Sequence, residues 1–229
     1  MNRPLAILGG TFDPVHNGHL RVAWEAAEFL DAEVNLVPAA VPPHRDPPVA
    51  SAAQRVALVR AALRGQDRIG IDARELHRDG PSYTFDTLAE LRAETGPERP
   101  LVLLLGADAF AGLPTWHRWR ELFELAHVGV LTRPGHDGGP LPTELRTKIA
   151  SRRCSGPTAL RESPAGRVLP VPVTALDISA RRIREILAAG GEPRWLVPDA
   201  FSESPVLLGP YRKNPGAAGM RGDAELIRN

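Results

Sequence analysis

"LAILGGTFDPVHNGHLRVAWEAAEFL", residues 5–30, decides how the chain is read. Residues 5–8 form a short aliphatic run, which Gly9 and Gly10 close. Beyond His19 the apolar positions change to helical spacing: Leu20, Ala23, Trp24, Ala27 and Leu30 recur every three or four residues. The order is strand, glycine-rich turn, helix. Such a junction aims backbone N–H groups and the positive end of a helix at an anion. The predicted ligand is a phosphate.

The same alternation continues outward. Residues 33–40 read as a second strand, followed by a Pro-rich loop over 39–50 that cannot be regular structure. Ser51 caps a helix with Val56, Val59, Ala62 and Leu63 on its apolar side. Residues 68–78 give a third strand and its edge, and residues 80–94 start a helix with Leu88 and Leu91 inward. "PLVLLLG", 100–106, is continuously aliphatic, the mark of a central parallel strand buried on both faces. Residues 126–135 and 167–173 supply two more strands, and Pro170 and Pro172 confine the last to an edge or an irregular strand. Residues 135–166, rich in Gly, Pro and Ser around a helix, read as a variable excursion. Strands alternating with helices predict an α/β protein, a Rossmann-like open parallel sheet with helices on both faces. It is read as a single domain over 1–208 with a small C-terminal helical part, and 209–229 as a mobile tail.

Composition narrows the function. With 229 residues, 43% of them hydrophobic, the chain can build its own core, and a net charge of +1 gives no reason to expect bulk binding to nucleic acid or to a membrane surface. No apolar stretch nears the roughly 20 residues that span a bilayer. No signal peptide is expected, and a cytoplasmic location follows. Cys154 is the single cysteine, so an internal disulfide and a Cys-based zinc cluster are excluded. Lys148 and Lys213 are the only lysines, so phosphate contacts must come mainly from Arg, His and backbone.

Neither G-x-G-x-x-G nor G-x-x-x-x-G-K-[ST] occurs. In their place His16-Asn17-Gly18-His19 stands at a helix mouth just after Asp13-Pro14. The two histidines can be plain polar residues at a helix start, or metal ligands with His44 as the only obvious third. Alternatively they contact phosphate oxygens, with Gly18 allowing close approach; the context favours phosphate. In "DISARRIREIL", 177–187, Ser179 is a good N-cap, Ile183, Ile186 and Leu187 form an inward stripe, and Gly190 ends the helix. The arginines can be simply solvated. A functional reading puts Ser179 and the helix N-terminus on one phosphate and Arg184 on another. In a parallel sheet both helix starts face one crevice.

GGTFDPVHNGH near the N-terminus paired with ISxxxxR near the C-terminus resembles the bacterial nicotinate-mononucleotide adenylyltransferases, within the HxGH nucleotidyltransferase superfamily. "VPPHR" (41–45), "RELHRDGPSYTFDTL" (74–88), "LLGADAF" (104–110), "PTWHRW" (114–119) and "RPG" (133–135) extend the resemblance, in that order, over residues 5 to about 200. It implies transfer of AMP from ATP to nicotinate mononucleotide, giving deamido-NAD and pyrophosphate, with Mg²⁺ accompanying ATP and no metal site on the protein. It further implies that His16 and His19 contact the ATP phosphates, with His19 steadying the transition state. Gly10, Thr11 and Gly18 would give backbone to the nucleotides, and Ser179 and Arg184 would hold the leaving β- and γ-phosphates. Gly106 would line the adenosine site and Asp108 bind the ribose. Trp116 would stack on the pyridine ring, backbone near Thr84 and His117 meet its carboxylate, and His44 and Arg45 contact substrate phosphate.

Two positions depart from the family pattern. Arg181 stands where a small hydroxyl residue is usual, either adding charge at the triphosphate or pointing to solvent. Pro205 should interrupt the closing helix. The alternatives are a related enzyme such as phosphopantetheine adenylyltransferase, expected to be shorter and to lack the "SYT…TWHR" pocket, or a nucleotide-binding regulator without chemistry. The sequence leaves oligomeric state open.

Overall fold

The computed structural model describes residues 3–41, 47–132, 139–174 and 176–212. β1 (Leu5–Gly10) feeds α1 (Asn17–Leu30), and β2 (Glu33–Pro38) leads to α2 (Ala52–Ala62). β3 (Ile69–Ile71) is followed by a 3-10 turn at Arg74–His77 and by α3 (Thr84–Thr95). β4 (Leu101–Gly106) runs directly into α4 (Ala107–Ala111); two 3-10 turns and α5 (Leu122–Leu125) precede β5 (His127–Thr132). After α6 (Thr143–Ile149) come β6 (Val168–Pro172), α7 (Ala180–Ala188) and α8 (Ala200–Glu203), and then a 3-10 helix over Pro205–Tyr211.

All six strands are parallel, in the order β3-β2-β1-β4-β5-β6. Strand order reverses between β1 and β4, whose Leu8 and Leu104 are register partners, so the glycine ends of both strands lie side by side. Crevices at such a reversal are where open α/β sheets hold ligands.

β4 explains why the sheet is covered twice. Val102 and Leu104 pack on one side with α1, α2 and α7 through Ala23, Ala27, Leu58 and Ile183. Leu101, Leu103 and Leu105 pack on the other with α3, α5 and α6 through Leu88, Phe123 and Ile149. A period of two sends successive side chains to opposite faces, and burial of each Leu contributes about 1.5–3 kcal/mol. β6 is an edge strand, as its prolines require: Pro170 and Pro172 are exposed while Val168, Leu169 and Val171 are buried.

Local features refine the sequence reading. Trp24 is 37% exposed, with the Arg68 guanidinium 5.2 Å from its ring centre, because the face of α1 that meets the sheet is built of the small Ala23, Ala26 and Ala27. The third strand is only three residues long and gives way to the 3-10 turn. The 135–166 excursion contributes Leu145, Ile149 and Leu160 to the core. Pro205 does stop α8, which ends at Glu203. The expected tail boundary at 209 falls inside the 3-10 helix, whose Tyr211 is buried. No helix among the described residues is long and apolar enough to cross a membrane.

Candidate active site

Where β1 ends, the chain folds tightly on itself. A Cβ on Gly10 would lie 2.9 Å from the Phe12 ring, so a side chain there would have to displace that buried ring. Phe12 is buried at φ 50°, the left-handed region that a bulky residue rarely adopts. Arg55 of α2, 1% exposed, donates from Nη1 to the Thr11 carbonyl at 2.7 Å. The Thr11–Phe12 peptide is trans, so the Phe12 N–H points away from that buried guanidinium. Burial lowers the Arg55 pKa, and Asp13 and Tyr211 oppose that shift.

His16 is the extended N-cap of α1. Its imidazole is buried, and its Nδ1 has no hydrogen-bond partner among the described residues. Burial pulls its pKa down to about 4, so it is neutral at pH 7. The ring stacks on His19 with centres 3.7 Å apart, and the Phe12 edge meets His19 at 5.0 Å. The His16 N–H donates to His19 Nδ1 at 3.3 Å, which in the neutral ring puts the His19 proton on Nε2. A Cβ on Gly18 would come within 3.0 Å of His16 Nδ1 and 3.6 Å of Ile178 Cβ, so Gly18 admits both the imidazole and the approach to α7.

The second motif meets the first here. Ser179 caps α7, its Oγ accepting from the Arg182 N–H at 3.2 Å. Arg184 reaches from α7 to donate to the Asp13 carbonyl at 2.6 Å, with the same nitrogen 3.7 Å from Asp13 Oδ2. Arg181 points to solvent: its side chain is 84% exposed, and among the described residues it reaches Glu185, at 3.9 Å.

Asp13 is the junction. Its carboxylate accepts from the N–H groups of Val49 (2.8 Å) and Ala50 (3.0 Å) and from the Tyr211 hydroxyl (2.8 Å). With those lone pairs engaged, it is a poor candidate for a metal ligand. Among the described residues no three His, Cys, Asp or Glu side chains converge as a metal site would require.

Beyond the glycine turn a cleft of about 120 Å³ opens between Gly9, Gly10, Glu75, Thr84, Leu105 and Trp116. Thr84 is the first residue of α3, whose leading N–H groups have no partner inside the helix. Trp116 is half-buried in the wall. His117 is exposed and stacks on Tyr83 with centres 4.5 Å apart, outside the cleft lining. Glu75 is buried, and the Thr87 hydroxyl donates to it at 2.7 Å; burial pushes its pKa up, while the Thr87 and Ser82 side chains and the Arg78 charge oppose that shift. Gly106 caps α4 with open space where a Cβ would stand, and Asp108 is exposed in the first turn of that helix. His44 and Arg45 lie outside the described residues.

The structure thus gathers Gly10, Thr11, His16, Gly18, His19, Ser179 and Arg184 at the β1–α1 turn, and Thr84 and Trp116 in the adjoining cleft. Sequence reasoning missed Arg55, Glu75 and Tyr211, and gave Asp13 no role. The only sequence signals were an arginine beside the apolar stripe of α2 and a tyrosine in a segment without periodicity.

A family model described as "Cytidylyltransferase-like" matches residues 7–186. The chain is 54% identical over 199 residues to the "probable nicotinate-nucleotide adenylyltransferase" of Pseudomonas putida (strain W619), covering 86% of this chain and 90% of that one. It is 51% identical over 210 residues to the protein of the same description from Halorhodospira halophila, covering 91% and 95%. Among solved structures it is similar to Plasmodium falciparum nicotinic acid mononucleotide adenylyltransferase complexed with NaAD. The TM-score is 0.63 at 15% identity, over 91% of this chain and 94% of the other, which supports the fold alone.

Proposed function

This chain belongs to the nicotinate-nucleotide adenylyltransferase family, and from that premise we propose that it transfers AMP from ATP to nicotinate mononucleotide, releasing pyrophosphate and forming deamido-NAD. The observation that carries the reading is the contact of two motifs far apart in sequence. Arg184 of α7 bonds the Asp13 carbonyl within the turn that leads to His16 and His19.

A phosphate oxygen of the mononucleotide attacks the α-phosphorus of ATP, the bond to the β-phosphate bridging oxygen breaks, and pyrophosphate leaves. No protein nucleophile is needed; positioning and charge neutralisation suffice. His19 Nε2–H faces the charge that grows on the α-phosphoryl oxygens. His16 is neutral, and its unpartnered Nδ1 is a buried polar group that a bound nucleotide would satisfy. Backbone of Gly10, Thr11 and Gly18 cradles phosphate, Ser179 and Arg184 hold the leaving pair, and Gly106 and Asp108 flank the adenosine. Mg²⁺ enters on the triphosphate of ATP, as part of the substrate. A cytoplasmic setting fits substrates whose charges keep them from crossing a bilayer.

The pyridine end belongs in the cleft, with Trp116 against the ring and the opening N–H groups of α3, beside Thr84, toward the carboxylate. A donor-lined site satisfies both acid oxygens, whereas the amide of nicotinamide mononucleotide would turn N–H₂ toward a donor. An unsatisfied buried donor costs about 1–3 kcal/mol. We therefore expect at least a tenfold higher kcat/KM for the acid, measured by pyrophosphate release with MgATP. Trp116→Ala should weaken both substrates alike. Equal efficiency with the amide would refute the donor-lined pocket. Pyrophosphate release with phosphopantetheine and not with either mononucleotide would favour the related enzyme instead.

A further inference from the structure

We propose that Tyr211 is a positioning residue for the triphosphate side of the reaction, acting through Asp13 on Arg184. The inference rests on the ATP-dependent reading of the site.

Tyr211 closes the 3-10 helix Pro205–Tyr211, is 4% exposed, and donates its hydroxyl to Asp13 Oδ1 at 2.8 Å across 198 residues of sequence. Burial and the Asp13 carboxylate both push the phenol well above its ordinary pKa, so it stays protonated and keeps donating. The Val49 and Ala50 N–H groups hold the Asp13 carboxylate from another direction. That leaves Asp13 little freedom, and its backbone carbonyl is what Arg184 Nη1 grips. The carbonyl direction therefore sets the direction of the guanidinium. Arg184 has 32% of its side chain open, enough to meet a ligand while one nitrogen stays anchored. The 3-10 helix also packs against α7, the helix that carries Arg184.

A phenylalanine would fill the same space without the bond. A core that needed only bulk here would have no use for a hydroxyl on a buried carboxylate, because an unpaired polar group in the interior is costly. The geometry assigns that hydroxyl to orientation.

Tyr211→Phe tests the proposal because it removes one oxygen atom. The expected result is a three- to tenfold rise in KM for ATP, with KM for nicotinate mononucleotide within twofold of the unmodified chain. Titration with a non-hydrolysable ATP analogue, followed by calorimetry, should show the same loss without turnover. In an Arg184→Ala background, Tyr211→Phe should add no further loss, since the residue it positions is gone. Independent, multiplying effects of the two substitutions would overturn the proposal. So would equal changes for both substrates, or a Tyr211→Phe chain that no longer melts cooperatively, which would make the hydroxyl a stability element. If the unmodified chain binds the analogue but does not turn over nicotinate mononucleotide, the functional reading fails while this coupling is still measured.

Discussion

His19→Ala should lower kcat for adenylyl transfer by about two decades while leaving both KM values within about twofold. The ring is held before any substrate arrives: Nδ1 takes the His16 N–H, one face lies on His16, and Phe12 meets it edge-on. A donor fixed in this way loses no reorganisation energy when charge builds on the α-phosphoryl group. Removing one such donor costs about 3 kcal/mol in the transition state and little in the ground state. Steady-state kinetics in MgATP and nicotinate mononucleotide measure it, and near-normal turnover would remove His19 from the chemistry. Arg184→Ala differs in kind. The leaving phosphates are already charged in the ground state, so KM for ATP should rise as well.

The second large effect is on stability in acid. In the unfolded chain the His16 imidazole titrates near its ordinary 6.5; in the folded protein burial lowers this to about 4. Between those values the unfolded chain binds a proton that the folded chain refuses, so stability falls as pH falls. The contribution is intact above about pH 7. It has lost about 2 kcal/mol by pH 5 and approaches about 3 kcal/mol at pH 4, at 1.36 kcal/mol for each pH unit. His127, buried with Nε2 against the Leu160 and Ser163 carbonyls, is shifted in the same direction and adds to the trend. Urea melts of the unmodified chain and of His16→Gln at pH 7 and pH 5 isolate the His16 share. The variant should lose about 2 kcal/mol less over that interval. Parallel losses in the two proteins would mean that His16 is not the group responsible.

Local chemistry in this chain was legible wherever a short-range rule governs it. Ser51 and Ser179 cap their helices because a hydroxyl two or three residues before an N–H can reach it. The aliphatic run 101–106 had to be central, since only a strand covered on both faces can be apolar throughout. The prolines of β6 required an edge. What the sequence concealed are polar groups whose partners lie far along the chain. Arg55 reads as one more solvated arginine of α2 until the Thr11 carbonyl is brought to it. Glu75 sits in a stretch read as strand, and its buried carboxylate is met by Thr87 of α3. Trp24 fits the helical period of α1, yet the sheet takes the alanines beside it. Periodicity identifies a face but not what the face will meet.

The long sequence reach of the Asp13 junction also has a consequence for biosynthesis. Arg184 lies 171 residues and Tyr211 198 residues beyond Asp13, so the ring of contacts around the β1–α1 turn closes only when almost the whole described chain has been made. Contacts of such separation form late, because the intervening chain must be ordered before they reward it. An incomplete product emerging from the ribosome therefore carries the histidine turn without its arginine. On a chain that stops short of residue 184 the proposed phosphate site is therefore incomplete.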